Sequence, residues 1–203
     1  MWTGRGSASV ERGPDLNRRC KRGGVPVSLT LRPRILADLP ELWRWMYDAL
    51  GAEWKRWDGP YFHGDMPALS YSDYAARAIS RPPDPDMQII EIGGLVRGIV
   101  TRHWEDPEAG GWLELGIVIY DPAFWSGGHG TRALRAWVDL CFEQTPAHVL
   151  TLTTWSGNTR MLGAGLKVGF RECARIREAR LWQGIRYDSV RLDLLRSEWP
   201  LER

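Results

Sequence analysis

Cysteine is scarce, with three in 203 residues at Cys20, Cys141 and Cys173. An odd and widely spaced set gives no disulfide framework and no zinc-ligand spacing, so no metal centre is expected. A reducing, cytoplasmic compartment follows as the default. Long apolar runs are also missing. Nothing approaches the roughly 20 consecutive apolar residues a membrane helix needs, so no membrane partner is expected. The first residues lack the charged–apolar–small order of a secretion signal. Net charge is only +2, too small to call for a polyanionic partner.

What is present reads as an ordinary globular chain, 43% hydrophobic and 26% charged, of a length that favours one domain. Charge is uneven. Residues 1–24 carry six basic side chains against Glu11 and Asp15, a net of +4, which leaves −2 for the rest. This segment has Gly and Ser but no hydrophobic period, so it reads as a disordered basic tail. A nucleic-acid arm is the sharper alternative, and no nucleic-acid partner is expected. The folded domain is assigned to residues 25–203.

Val27–Leu31 alternates like a half-buried strand. Asp38 with Glu41 three residues on resembles a capping box. Leu39, Leu42, Trp43, Met46, Tyr47 and Leu50 follow at helical spacing, with Trp43 expected in the core. Residues 51–69 are irregular, and a short helix fits Ser72–Ser80. The period then changes to that of a hairpin, Met87–Ile92 and Leu95–Thr101 around Gly93-Gly94. Trp112–Tyr120 is a further strand, with apolar residues at every odd position from 113 to 119. Leu134, Trp137, Val138 and Cys141 mark an amphipathic helix, and Cys141 on that stripe reads as core. His148–Thr154 is a strand, and Asn158 caps a helix that ends at Gly169. Two strands close the chain, Phe170–Trp182 and Arg186–Leu195. The order predicts a mixed α/β (α+β) domain, largely antiparallel in its first half.

Between the Trp112–Tyr120 strand and the amphipathic helix lies Ser126-Gly-Gly-His-Gly-Thr131. A glycine-rich turn at a helix start suits a phosphate. The first amides of the helix lack intrahelical partners, its dipole is positive there, and glycine lets backbone approach an anion. The spacing matches neither a Walker loop nor the dinucleotide fingerprint. On its own the loop is also compatible with a plain turn and cap.

The wider segment Leu115-Gly-Ile-Val-Ile-Tyr-Asp-Pro-Ala-Phe-Trp-Ser-Gly-Gly-His-Gly-Thr-Arg-Ala-Leu134 resembles the acetyl-CoA signature of the GNAT superfamily of N-acetyltransferases. So do Trp155-Ser-Gly-Asn-Thr-Arg-Met161 and Lys167-Val-Gly-Phe170. The end, Tyr187–Arg191 to Glu198-Trp199, looks like the branch related to ribosomal-protein N-terminal acetyltransferases.

The resemblance implies a sheet flanked by helices with a splayed central strand pair, and acetyl-CoA as co-substrate. Loop residues Gly127, Gly128, His129, Gly130 and Thr131 would hold the diphosphate. Backbone groups of Val118, Ile119 and Tyr120 would pair with the pantetheine arm. Asn158 would reach the same arm, cap its helix, or both. The family's loop opens with Gln or Arg where this chain has Trp125.

The implied reaction is direct attack of a primary amine on the thioester. The acceptor would be a small molecule, a peptide or a protein N-terminus. A homodimer is compatible with the resemblance. Glu114 is either the general base, acting through water, or a solvent-face strand residue. The family tyrosine that protonates the thiolate falls at Gly165, so Tyr120 is the substitute candidate, with solvent as the other. Trp54, Trp57, Tyr61 and Phe62, with Glu53, Asp58 and Asp65, would wall the acceptor site or else pack as ordinary core and surface. The rival reading is a GNAT-like module that binds an acyl-CoA without turnover.

Overall fold

The computed structural model describes residues 27–62 and 68–200. The basic segment 1–24 lies outside them, as does Asp65 and the side chain of Phe62. The strands are β1 (Leu29–Arg32), β2 (Met87–Ile92), β3 (Leu95–Trp104), β4 (Trp112–Ile119), β5 (Val149–Trp155), β6 (Arg171–Trp182) and β7 (Ile185–Leu195). The α-helices are α1 (Leu39–Tyr47), α2 (Tyr71–Ile79), α3 (His129–Gln144) and α4 (Thr159–Val168). The strands form one sheet in the order β1-β2-β3-β4-β5-β7-β6. Its neighbours are antiparallel except β4 and β5, which run parallel.

Each face of the sheet has its own apolar cluster. On one, α3 lays Leu134, Trp137, Val138 and Cys141 against Leu113, Leu115, Leu150 and Leu152. These are the positions that the helical and strand periods predict. The Trp137 indole donates to the Thr101 carbonyl at 3.0 Å, so its one polar group is satisfied. On the other face α1 contributes Leu42 and Trp45 to a smaller cluster with Trp54, Ile89, Val96 and Tyr120. Because β4 alternates, its odd residues go to the first cluster and Val118 and Tyr120 to the second.

The second layer departs from the sequence reading in two places. Trp45, not Trp43, is the buried tryptophan of α1. Trp43 is half-buried, donating to the Leu69 carbonyl at 2.7 Å and lying edge-on to Tyr71. Asp38 precedes α1 as its N-cap residue but forms no side-chain cap. Its carboxylate accepts two bonds from Arg32 at 2.8 Å and one from the Ile35 N–H at 2.8 Å. A charged partner six residues away outcompetes the local amide.

The far end of α3 is closed by Arg196. Its guanidinium donates to the carbonyls of Ala147, Phe142 and Thr145 at 2.6, 2.8 and 2.7 Å. A cation there satisfies carbonyls that the helix end leaves open and sits at the negative end of its dipole.

Candidate active site

The only parallel pair in this sheet is also its shortest ladder. Strands β4 and β5 pair from Trp112–Glu114 to Val149–Thr151 and no further. Both continue beyond that point, β4 bonded to β3 and β5 to β7 on their outer sides. The strands therefore part like a fork whose root is the Glu114–Thr151 rung.

The bonding phase of β4 decides which groups face the gap. The Tyr120 N–H donates to the Arg97 carbonyl at 2.8 Å. In an antiparallel ladder such bonded pairs recur at every second residue, so the Val118 backbone also faces β3. The backbones of Ile117 and Ile119 face the gap. The Ile119 carbonyl accepts the Trp125 indole N–H at 2.8 Å. What remains toward the gap is the Ile117 and Ile119 N–H groups and the Ile117 carbonyl. Of the three strand residues expected to offer backbone to a cofactor arm, only Ile119 is so placed. Alternation turns the backbones of Val118 and Tyr120 to β3 instead, although Val118, unlike Tyr120, lines the cavity that opens beside the fork.

The loop that follows is tied down by charge. The Asp121 carboxylate accepts the Ala123 N–H at 2.9 Å and pairs with Arg97 at 2.9 Å. Arg97 in turn lies 5.0 Å over the Phe124 ring. The loop then turns through left-handed backbone at Ser126 and Gly128, with φ of +60° and +81°, and Gly128 is the N-cap of α3. A cavity of about 360 Å³ opens between this loop, the fork and α4. Gly128, Gly130 and Gly163 line it, and a Cβ built on any of them would enter open space. Thr131 and Asn158 also line it. Gly127 and His129 do not, and the His129 ring packs edge-on to Phe124 at 5.4 Å.

Asn158 performs the capping task, and its amide is turned to the chain that walls the cavity. Its carbonyl oxygen accepts the Met161 N–H at 3.0 Å, capping α4, while its amide donates to the Trp57 carbonyl at 2.9 Å. The Trp155 indole donates to that same carbonyl at 2.9 Å. Trp57 itself is part of the cavity wall, as are Arg160 and Lys167. Sequence reading gives Arg160 no role, although a cation in the first turn of a helix opposes the helix dipole. That conflict was the available signal.

Glu114 is buried, at 6% exposure, which removes the solvent-face alternative. Its carboxylate accepts the Thr151 hydroxyl, and the Trp112 indole donates to Thr151 at 2.8 Å. Arg191 approaches the same carboxylate to 4.0 Å. Glu114 thus stands at the root of the fork without lining the cavity.

Tyr120 does not stand in as proton donor. It is 2% exposed, stacked on Trp45 at 6.2 Å and edge-on to Trp54 at 5.1 Å. Burial pushes its phenol further above the usual tyrosine range, making it a poorer acid. Position 165 is closed as well, since a Cβ on Gly165 would lie 2.7 Å from Leu192 Cδ1, in the core rather than the cavity. Burial pushes the Cys141 thiol up to about 12, consistent with a packing role. Of the loop aromatics, Trp54 is buried and donates to the Trp45 carbonyl, whereas Tyr61 lies edge-on to Trp155 at 6.2 Å. Asp58 lines the cavity and Glu53 is exposed.

Solved structures share this architecture. Spermidine N-acetyltransferase from Vibrio cholerae, in complex with CoA and spermine, superposes with a TM-score of 0.66 at 19% identity, over 84% of this chain and 96% of that one. Ribosomal-protein-alanine N-acetyltransferase from Brucella melitensis gives 0.60 at 20% identity, over 82% and 99%. The yncA protein from Salmonella typhimurium, solved with its cofactor acetyl-CoA, gives 0.62 at 18% identity, over 86% and 98%. At such identities the likeness is one of fold. Comparison with curated proteins by sequence gives no match. The family model described as acetyltransferase (GNAT) domain matches residues 28–171, a stretch that holds the fork, the glycine loop and α4. The chain belongs to the GNAT acetyltransferase family.

Proposed function

We propose that this chain is an acetyl-CoA-dependent N-acetyltransferase that acetylates a primary amine by direct attack, with residues 25–203 as its single catalytic domain. The observation that carries the reading is the fork. Two adjacent strands stop pairing after Glu114 and Thr151, and a glycine-lined cavity stands at the opening. The residues present fit the co-substrate, because Gly128, Gly130 and Gly163 leave open the space their side chains would fill.

Acetyl-CoA supplies an activated acetyl group as a thioester. The amides of Gly128, Gly130 and Thr131, at the positive end of α3, hold its diphosphate. Ile117 and Ile119 offer backbone donors and an acceptor to the pantetheine arm in the manner of an added strand. The Ile119 N–H polarises the thioester carbonyl where negative charge develops. Glu114, at the fork's root, takes the amine proton through water. With Tyr120 buried and no hydroxyl at Gly165, the leaving thiolate takes its proton from solvent. The acceptor is an amine on a small molecule, a peptide or a protein N-terminus. The free thiols of Cys141 and Cys173 suit a reducing, cytoplasmic setting.

The test is release of free thiol from acetyl-CoA with polyamines, aminoglycosides, amino acids and N-terminal peptides. Amine-dependent release supports the reading. A second reading, an acyl-CoA-binding module without turnover, is favoured by the lack of a side-chain acid at Tyr120 and Gly165. Tight acetyl-CoA binding with no thiol release across that panel selects it.

A further inference from the structure

Arg160 is the side chain that the family pattern and the proposed reaction leave without a task. Its guanidinium stands 4.1 Å over the Trp57 ring and 4.5 Å over the Trp125 ring. The two indoles meet edge to face at 6.4 Å. All three residues line the cavity that Gly128 and Gly130 also border. Arg160 makes no salt bridge among the described residues.

A guanidinium carries five N–H donors around its edge and none on its faces. The two rings are nearly perpendicular and form an aromatic corner, and cation–π attraction to both holds the guanidinium in that corner, beside the cavity, without using its N–H donors. A flat guanidinium with usable edge donors is suited to forked bonding with a phosphate. Its location is otherwise unfavourable. Arg160 is the second residue of α4, where the helix dipole disfavours a cation. A bound anion would reverse that local balance.

The loop position where the family places Gln or Arg holds Trp125 here. Trp125 cannot offer its indole N–H to a ligand, since that group is bonded to Ile119. Its ring instead braces an arginine arriving from α4. We infer that Arg160, held in the corner formed by Trp57 and Trp125, is a phosphate-binding residue for the coenzyme and replaces the donor missing at position 125. This rests on the proposed function, in that the anion is a phosphate group of acetyl-CoA.

The experiment compares wild type with Arg160→Gln, which keeps a long polar stem without the charge. Calorimetry is run with acetyl-CoA, acetyl-dephospho-CoA and acetyl-pantetheine, the last lacking every phosphate. Arg160→Gln is expected to weaken acetyl-CoA by roughly 10- to 100-fold, the range for hydrogen bonds to charged groups, with acetyl-pantetheine unchanged. An equal loss with acetyl-dephospho-CoA assigns the contact to the diphosphate. A loss confined to acetyl-CoA assigns it to the 3′-phosphate. Trp125→Leu, which removes one brace and keeps the charge, should give a smaller loss in the same direction. Affinities for acetyl-CoA within twofold of wild type in Arg160→Gln overturn the inference, as does a parallel loss with acetyl-pantetheine. Wild-type protein that binds no acetyl-CoA overturns the proposed function and this inference together.

Discussion

The carboxylate of Glu114 accepts its hydrogen bond from Thr151 at the last rung that joins β4 to β5. Both residues are nearly excluded from solvent, at 6% and 3% exposure. A carboxylate at that point is held by a neighbour across the very pair of strands that then separates. Glu114→Gln should lower kcat at neutral pH by about 100-fold or more, the usual scale for loss of a general base. Acetyl-CoA affinity should persist, and the acidic limb of the kcat/KM profile should disappear. A profile of unchanged shape would remove Glu114 from the base role.

Gly128 has left-handed backbone, lines the cavity, and would give a Cβ open space. Gly128→Asp puts a like charge where a diphosphate would sit and strains φ. Gly128→Asn places the same demand on the backbone, a region that Asn and Asp both tolerate better than most residues, but adds no charge. Aspartate should abolish acetyl-CoA binding by calorimetry, and asparagine should retain measurable affinity. Equal binding by both would show that no anion approaches this residue.

Gly165 faces Leu192 and Leu152. Gly165→Tyr, which restores the family's residue at this position, should therefore not raise kcat. It should lower the melting temperature, since overpacking a closed core costs about 1–3 kcal/mol or more. A faster enzyme of unchanged stability would refute the packing assigned here.

Asp38 governs an acid sensitivity. Burial alone would raise its carboxyl, but the Arg32 guanidinium and the Ile35 amide bring it below its ordinary value. A group depressed on folding contributes stability that is complete above its unfolded pKa of about 3.9 and lost as pH falls through the folded value. Asp38→Asn should lower stability near neutrality and flatten its decline below about pH 4. Denaturant midpoints measured across that range provide the check, and parallel curves for the two proteins would exclude Asp38.

Legibility followed how local each cause was. The stripe Leu134, Trp137, Val138 and Cys141 declares α3 because one helix period repeats over several turns, and all four are fully buried. The hairpin at Gly93-Gly94 declares itself through two glycines, both at positive φ. The fork is different. Nothing within β4 or β5 says where their pairing stops, and resemblance to a family implies only that a central strand pair splays. The residues misjudged are those whose neighbours no local period names. Asp38 was read as a cap and is bound by Arg32. Tyr120 was read as an acid and is enclosed by Trp45 and Trp54. Arg160 lies in the Trp155–Met161 segment, and only folding brings it to Trp57 and Trp125.

The Trp57 carbonyl, gripped by Trp155 and Asn158, has a bearing on how such an enzyme changes its clientele. The segment that would choose the amine is riveted to the corner that would seat the coenzyme. Altering one therefore disturbs the other. Drift toward a new acceptor through residues near Trp57 should carry a penalty in coenzyme affinity. Change through positions remote from that joint is the freer evolutionary route.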